Sequence, residues 1–99
     1  MNVDIQRDGT TLTVVPEGRI DTLTAPDFLK QMEPELVNVK DLIIDFSKVS
    51  YISSAGLRVL LAFAQTMEDR DGTIKAVSVS DFIRKVFELT GFLEIMNVD

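Results

Sequence analysis

Residues 45–61 read DFSKVSYISSAGLRVLL, and this stretch decides the fold. Asp45 closes a buried strand, a short polar connection follows, and an amphipathic helix begins near Ser54. The hydroxyl pair Ser53 and Ser54 sits at the junction, just ahead of Gly56. Serine is favoured at a helix start because its oxygen accepts from a backbone N–H that has no partner within the helix. The same free N–H groups, with the positive end of the helix dipole, favour a phosphate. A serine at this place is therefore either a plain cap or a modification site.

Outward from that junction, Leu42-Ile43-Ile44 is a continuous apolar run, which predicts a strand covered on both faces. Downstream, the helix runs from Ser54 to about Asp69, with Leu57, Leu60, Leu61 and Ala64 as its inward stripe. Val59, Ala62 and Phe63 widen the apolar arc, and Gly72 is placed as its left-handed terminator. Ile74–Val79 reads as a strand, and Ser80 caps a third helix through Leu89 with Ile83, Val86 and Phe87 inward. Gly91 stops that helix, Phe92 or Leu93 folds back on it, and Glu94–Val98 forms a short last strand.

Upstream, residues 2–7 and 10–16 alternate apolar and polar around Asp8-Gly9, a two-residue hairpin signal. Residues 18–21 form a connection. Thr24 with Asp27 resembles a capping box before a helix carrying Phe28, Leu29, Met32 and Leu36. Pro34 ends or kinks that helix near Met32. The order β-β-α-β-α-β-α-β predicts one α/β domain over residues 1–99, a mixed β-sheet packed against helices.

Composition narrows the chemistry. The net charge of −6 argues against nucleic acid, whose phosphates attract a basic face. There is no cysteine and no histidine, which removes the thiolate nucleophile and the commonest general base and zinc ligand. Asp45 has no second carboxylate at ligand spacing, so no metal site and no cofactor is expected. Ser-Ser-Ala-Gly is not the elbow of serine hydrolases, and no phosphate-binding glycine loop occurs, so catalytic residues are expected to be none. No apolar run approaches the ~20 residues of a membrane span, and no secretory signal is visible. The expected location is cytoplasmic.

Four segments carry a resemblance to a known family: Gly18-Arg19-Ile20-Asp21, Leu42–Phe46, Val49–Leu57 and Phe82–Gly91. In order and spacing they resemble the STAS domain, shared by sulphate transporters and bacterial anti-sigma factor antagonists. The short free-standing form is similar to the antagonists. That resemblance implies a partner switch. The unmodified antagonist binds an anti-sigma factor that is also a serine kinase, and phosphorylation of one serine releases it. A metal-dependent phosphatase restores the first state. Aligned on Gly56-Leu57, the phosphorylated serine falls on Ser54 and the acidic loop residue on Asp21. Asp21, Ser53, Ser54, Ala55, Gly56 and Arg58 are then the expected partner contacts. Many antagonists have aspartate where this chain has Ser53, and many continue into a further C-terminal helix. The alternative within the family is a non-phosphorylated interaction subunit of a lipid or anion transport system. Without the resemblance, Ser53 and Ser54 are ordinary caps, Gly56 a packing glycine, and Arg58 a solvated residue or a partner for a phosphate one turn back.

Overall fold

A computed structural model describes residues 1–99. Strands β1 (Val3–Asp8) and β2 (Thr11–Pro16) form an antiparallel hairpin. Its register pairs Asp8 with Thr11, so the two loop residues are Gly9 and Thr10, one step later than the sequence signal, with Gly9 at φ 62°. After β2 come β3 (Gly18–Ile20), α1 (Ala25–Met32) and a single 3-10 turn at Pro34–Leu36. Strands β4 (Asp41–Asp45) and β5 (Val49–Ile52) lead into α2 (Ser54–Asp69). Then follow β6 (Thr73–Val77), α3 (Asp81–Thr90), a 3-10 turn at Phe92–Glu94, and β7 (Asn97–Val98). The mixed sheet packed against helices is as expected, and Pro34 does end α1.

The main sheet has the order β1-β2-β4-β6-β7, with every pair after the hairpin parallel. Each crossover therefore steps one place in the same direction. Right-handed crossovers that all step one way put every helix on one face. The burial agrees. Leu12, Val14, Leu42, Ile44, Ile74 and Ala76 are sealed beneath the helices, whereas their neighbours Thr13, Ile43 and Lys75 are only half-buried. The expectation that Leu42–Ile44 is covered on both faces is thus corrected: its apolar run has one helix-covered face and one open face.

Two short strands were not foreseen. β3 and β5 pair in parallel as a separate two-stranded sheet, Arg19 opposite Tyr51 and Ile20 opposite Ile52. The sequence reads residues 18–20 as connection and 49–52 as part of a polar loop. Three or four residues are too few for alternation to stand out in a sequence. Ile20, Val49 and Ile52 point inward and join the core.

Three helix details also differ. α2 buries Val59, Leu60, Phe63, Ala64 and Met67, while Leu57 and Leu61 lie at its half-buried margin. Its terminator is Asp71 at φ 54°, and Gly72 is needed instead because a side chain there would run into the Lys40 backbone. Thr24 makes no capping bond to α1; its hydroxyl donates to the Arg19 carbonyl (2.7 Å) and accepts from the Asp21 amide (2.9 Å). Phe28 meets Phe63 edge-on and joins α1 to α2, while Phe87 of α3 contacts both Phe46 and Phe92; both groups lie within one buried core.

Candidate functional site

Strands β2, β4 and β6 all run toward the same edge of the sheet, and the chain leaves them there. From that carboxyl edge arise β3, β5 and the first turns of α2 and α3. In open parallel sheets this edge is where ligands and partners meet the fold. At the end of β4, Asp45 accepts from the Ser47 amide (2.8 Å), which turns the chain toward β5 and gives that carboxylate a structural role.

The two serines divide the work. Ser53 has extended backbone (φ −100°, ψ 178°), and its Oγ accepts from the Gly56 amide at 3.5 Å. Its own amide donates to the Ile20 carbonyl (2.9 Å), locking the helix start to the end of β3. Ser53 is the cap. Ser54 is the first residue inside the helix and is exposed, and its hydroxyl takes part in none of the side-chain hydrogen bonds of the chain. No acidic residue occupies the first turn of α2. The hydroxyl is thus free, beside unpaired backbone donors and an uncompensated dipole.

Gly56 lies inward. A Cβ there would sit 2.6 Å from the Ile20 carbonyl oxygen and 2.8 Å from Ile52 Cγ1. Only glycine lets α2 begin this close to β3, so Gly56 sets the position of Ser54 rather than offering surface of its own. Ala55 is half-buried, and Arg58 is exposed one turn beyond Ser54, on the same side of the helix.

Asp21 is held within its own loop. Oδ1 accepts from the Leu23 amide (3.0 Å) and the Thr24 amide (3.1 Å), while Oδ2 receives Arg19 Nε (3.2 Å). The Thr24 amide foremost holds the Asp21 carboxyl below its ordinary range; partial desolvation, the next largest effect, opposes it, and the Arg19 guanidinium and the Leu23 amide reinforce it. Its acceptors are largely spent on shaping the turn that leads into α1.

Arg19, Tyr51 and Phe82 were not singled out from the sequence. The guanidinium of Arg19 lies 4.2 Å from the centre of the Tyr51 ring. Tyr51 in turn stacks on Phe82, centroids 6.3 Å apart. The one signal available was its neighbour Ile52: with Ile52 in the core, the adjacent Tyr51 faces the other way once β5 is recognised as a strand.

The arrangement can present one hydroxyl to another protein's active site. It offers no histidine or cysteine with which to attack a substrate of its own. No helix is long and apolar enough to cross a membrane.

Comparison with known proteins agrees with this architecture. An anti-sigma-B factor antagonist of Listeria monocytogenes is 31% identical over 104 residues, an alignment that covers 99% of this chain and 90% of the relative. The anti-sigma-B factor antagonist of Bacillus subtilis is 28% identical over 98 residues, with the same coverages. Among solved structures, SpoIIAA in its unphosphorylated form gives a TM-score of 0.78 at 17% identity, over 99% of this chain and 87% of that one. The phosphorylated form gives 0.77 at 19% identity, over 99% and 91%. The sequence profile of the STAS domain matches residues 2–99, and with strand order, helix start and relatives in agreement, the chain belongs to the STAS domain family.

Proposed function

We propose that this protein is an anti-sigma factor antagonist working by partner switching. Unmodified, it binds an anti-sigma factor that is also a serine kinase. That kinase transfers the γ-phosphoryl group of ATP to the Ser54 Oγ, the serine proton is lost, and ADP leaves. The modified protein then lets go, and a metal-dependent phosphatase hydrolyses the ester to restore the serine. The observation that carries this reading is the division at the helix start: Ser53 is occupied as the cap, and the Ser54 hydroxyl is exposed and unbonded.

The energetics fit a switch without a change of fold. A phosphate adds about −1.5 to −2 charges. At a helix N-terminus that charge is favourable by about 0.3–1 kcal/mol. Pressed into a docked interface, the same charge is a repulsive or desolvated group. About 2.7 kcal/mol there suffices for a hundredfold loss of affinity. The equal likeness of the chain to both forms of SpoIIAA supports a backbone that tolerates the change.

The test is incubation with a purified candidate kinase and ATP, followed by peptide mapping and pull-down. The expected result is a gain of about 80 Da, one phosphoryl group, on residue 54. Ser54→Ala keeps the partner, Ser54→Asp loses it, and Ser53→Ala retains most of the labelling. Labelling that vanishes in Ser53→Ala and persists in Ser54→Ala moves the acceptor by one residue. No labelling, together with copurification of a transport protein, replaces this reading by that of an interaction subunit.

A further inference from the structure

The layer of helices has one gap, far from Ser54. Along the carboxyl-terminal half of α2, a groove of about 700 Å³ separates that helix from the chain between Leu93 and Asn97, and neither α1 nor α3 lines it. Leu61, Ala64 and Glu68, at i, i+3 and i+7, form the α2 wall. Buried Met67, Ile74 and Met96 make the floor. On the opposite wall stand Leu93 and Ile95, 42% and 39% exposed. An apolar floor between half-open aliphatic walls is surface that gains from being covered.

The charge of the groove has one sign. Glu68, Asp71 and Glu94 are exposed along it, and no lysine or arginine lines it. None of these three carboxylates belongs to an ion pair of the chain, whereas Asp21, Asp27, Glu88 and Asp99 all do.

We propose that this groove docks an amphipathic helix of another protein, with aliphatic side chains on its inner face and lysine or arginine along its flanks. The inference goes beyond the proposed switch and does not depend on it. Three features select that occupant. One wall is itself a helix face, and Ala64 is small enough to admit a second helix at the usual spacing of about 8–10 Å. The floor and the two leucines and isoleucine above it take aliphatic side chains. The unpaired carboxylates complement cations on the flanks of the incoming helix. Nucleic acid, an anionic membrane surface and a second copy of this chain of net charge −6 all bring like charge instead. A small apolar molecule would leave the carboxylates unanswered. Glu68 lies about 21 Å along α2 from Ser54, so the docked helix leaves the hydroxyl uncovered. One partner can stay in the groove while another exchanges at Ser54.

The probe is a synthetic helical peptide of about 14 residues, leucines on one face and lysines on the other, titrated by calorimetry and followed by amide NMR shifts of the protein. Two control peptides keep one property each. The same residues in scrambled order keep the charge, and glutamate in place of lysine keeps the apolar face. The leucine–lysine peptide should bind about tenfold or more tighter than either control, with shifts concentrated at Leu61, Glu68, Leu93 and Ile95. Ile95→Ser and Glu68→Lys should each raise its Kd about tenfold, with unchanged circular dichroism. Asp4→Lys, on the sheet face away from the helices, and Ser54→Asp should bind as wild type. Equal affinity for the scrambled peptide, or a loss in Asp4→Lys as large as in Glu68→Lys, would mean attraction by net charge alone and overturns the groove. So does a wild-type Kd in Ile95→Ser, a loss of binding in Ser54→Asp, or a concentration-dependent dimer of the protein that Ile95→Ser abolishes. Failure of Ser54 to be labelled by any kinase overturns the switch and leaves the groove standing.

Discussion

Helices α2 and α3 start at the same edge of the sheet in the same way. Each has a serine cap whose oxygen accepts from the third residue inside, Ser53 from Gly56 at 3.5 Å and Ser80 from Ile83 at 3.2 Å. They differ at two positions. The first residue inside α3 is Asp81, a permanent negative charge on the dipole; in α2 it is Ser54, and the first turn has no acid. The third is Ile83, sealed in the core, against Gly56, pressed on the Ile20 carbonyl. α3 is thus the finished form of a helix start, and α2 is the form with one charge missing. Phosphorylation would bring α2 to the state that α3 always has. A modification that completes a helix start does not unfold it, so in the proposed switch release comes from what the phosphate would meet across the interface.

The comparison breaks most visibly at the third position. Ile83→Ala should cost about 2–5 kcal/mol, the range for truncating a buried isoleucine, measured by urea denaturation. Gly56→Ala comes next. Overpacking costs about 1–3 kcal/mol, offset by up to about 1 kcal/mol from the better helix propensity of alanine. Their signatures should also differ in hydrogen exchange. Gly56→Ala pushes α2 away from β3 and exposes the Ser53 amide bonded to Ile20, whereas Ile83→Ala leaves that amide protected. Equal protection in both variants would mean that Gly56 does not set the helix position. The caps follow in size. Ser80→Ala should cost about 1 kcal/mol. Ser53→Ala should cost less, because its bond lies beyond the usual 2.7–3.2 Å range. A reversed order in thermal melts would undo the assignment of Ser53 as a modest cap.

Long elements were legible in the sequence and short ones were not. α2 begins at Ser54 and α3 is capped by Ser80 as read, because serine, helical periodicity and a closing glycine at Gly91 (φ 81°) agree over ten or more residues. β3 and β5 were missed: three or four residues carry no periodicity, and the partner strand that stabilises each lies some 30 residues away in sequence. That omission hid the outer face of the small sheet, and with it Arg19 and Tyr51. Phe82 passed for an ordinary helix residue, since only three-dimensional packing shows that it is exposed and stacked. Asp21 was placed correctly in its loop, but its hydrogen bonds to Leu23 and Thr24 follow from a turn whose shape no pattern of residue types announces. The open face of β4 was misjudged for a related reason: an apolar run predicts cover, and the direction of successive crossovers decides on which side the cover lies.

The smallest effect tests the comparison most directly, by exchanging the first helical residues. Ser54→Asp should stabilise the protein and Asp81→Ser should destabilise it, each by about 0.3–1 kcal/mol. Both shifts should shrink in 1 M salt, where the screening length is about 3 Å. For Ser54→Asp the two readouts then move in opposite directions, with a higher melting temperature and lost partner binding. Destabilisation by the same change would mean that charge at residue 54 disturbs the helix start itself. Partner release would then be local unfolding, and the likeness between the two helix starts would end at their caps.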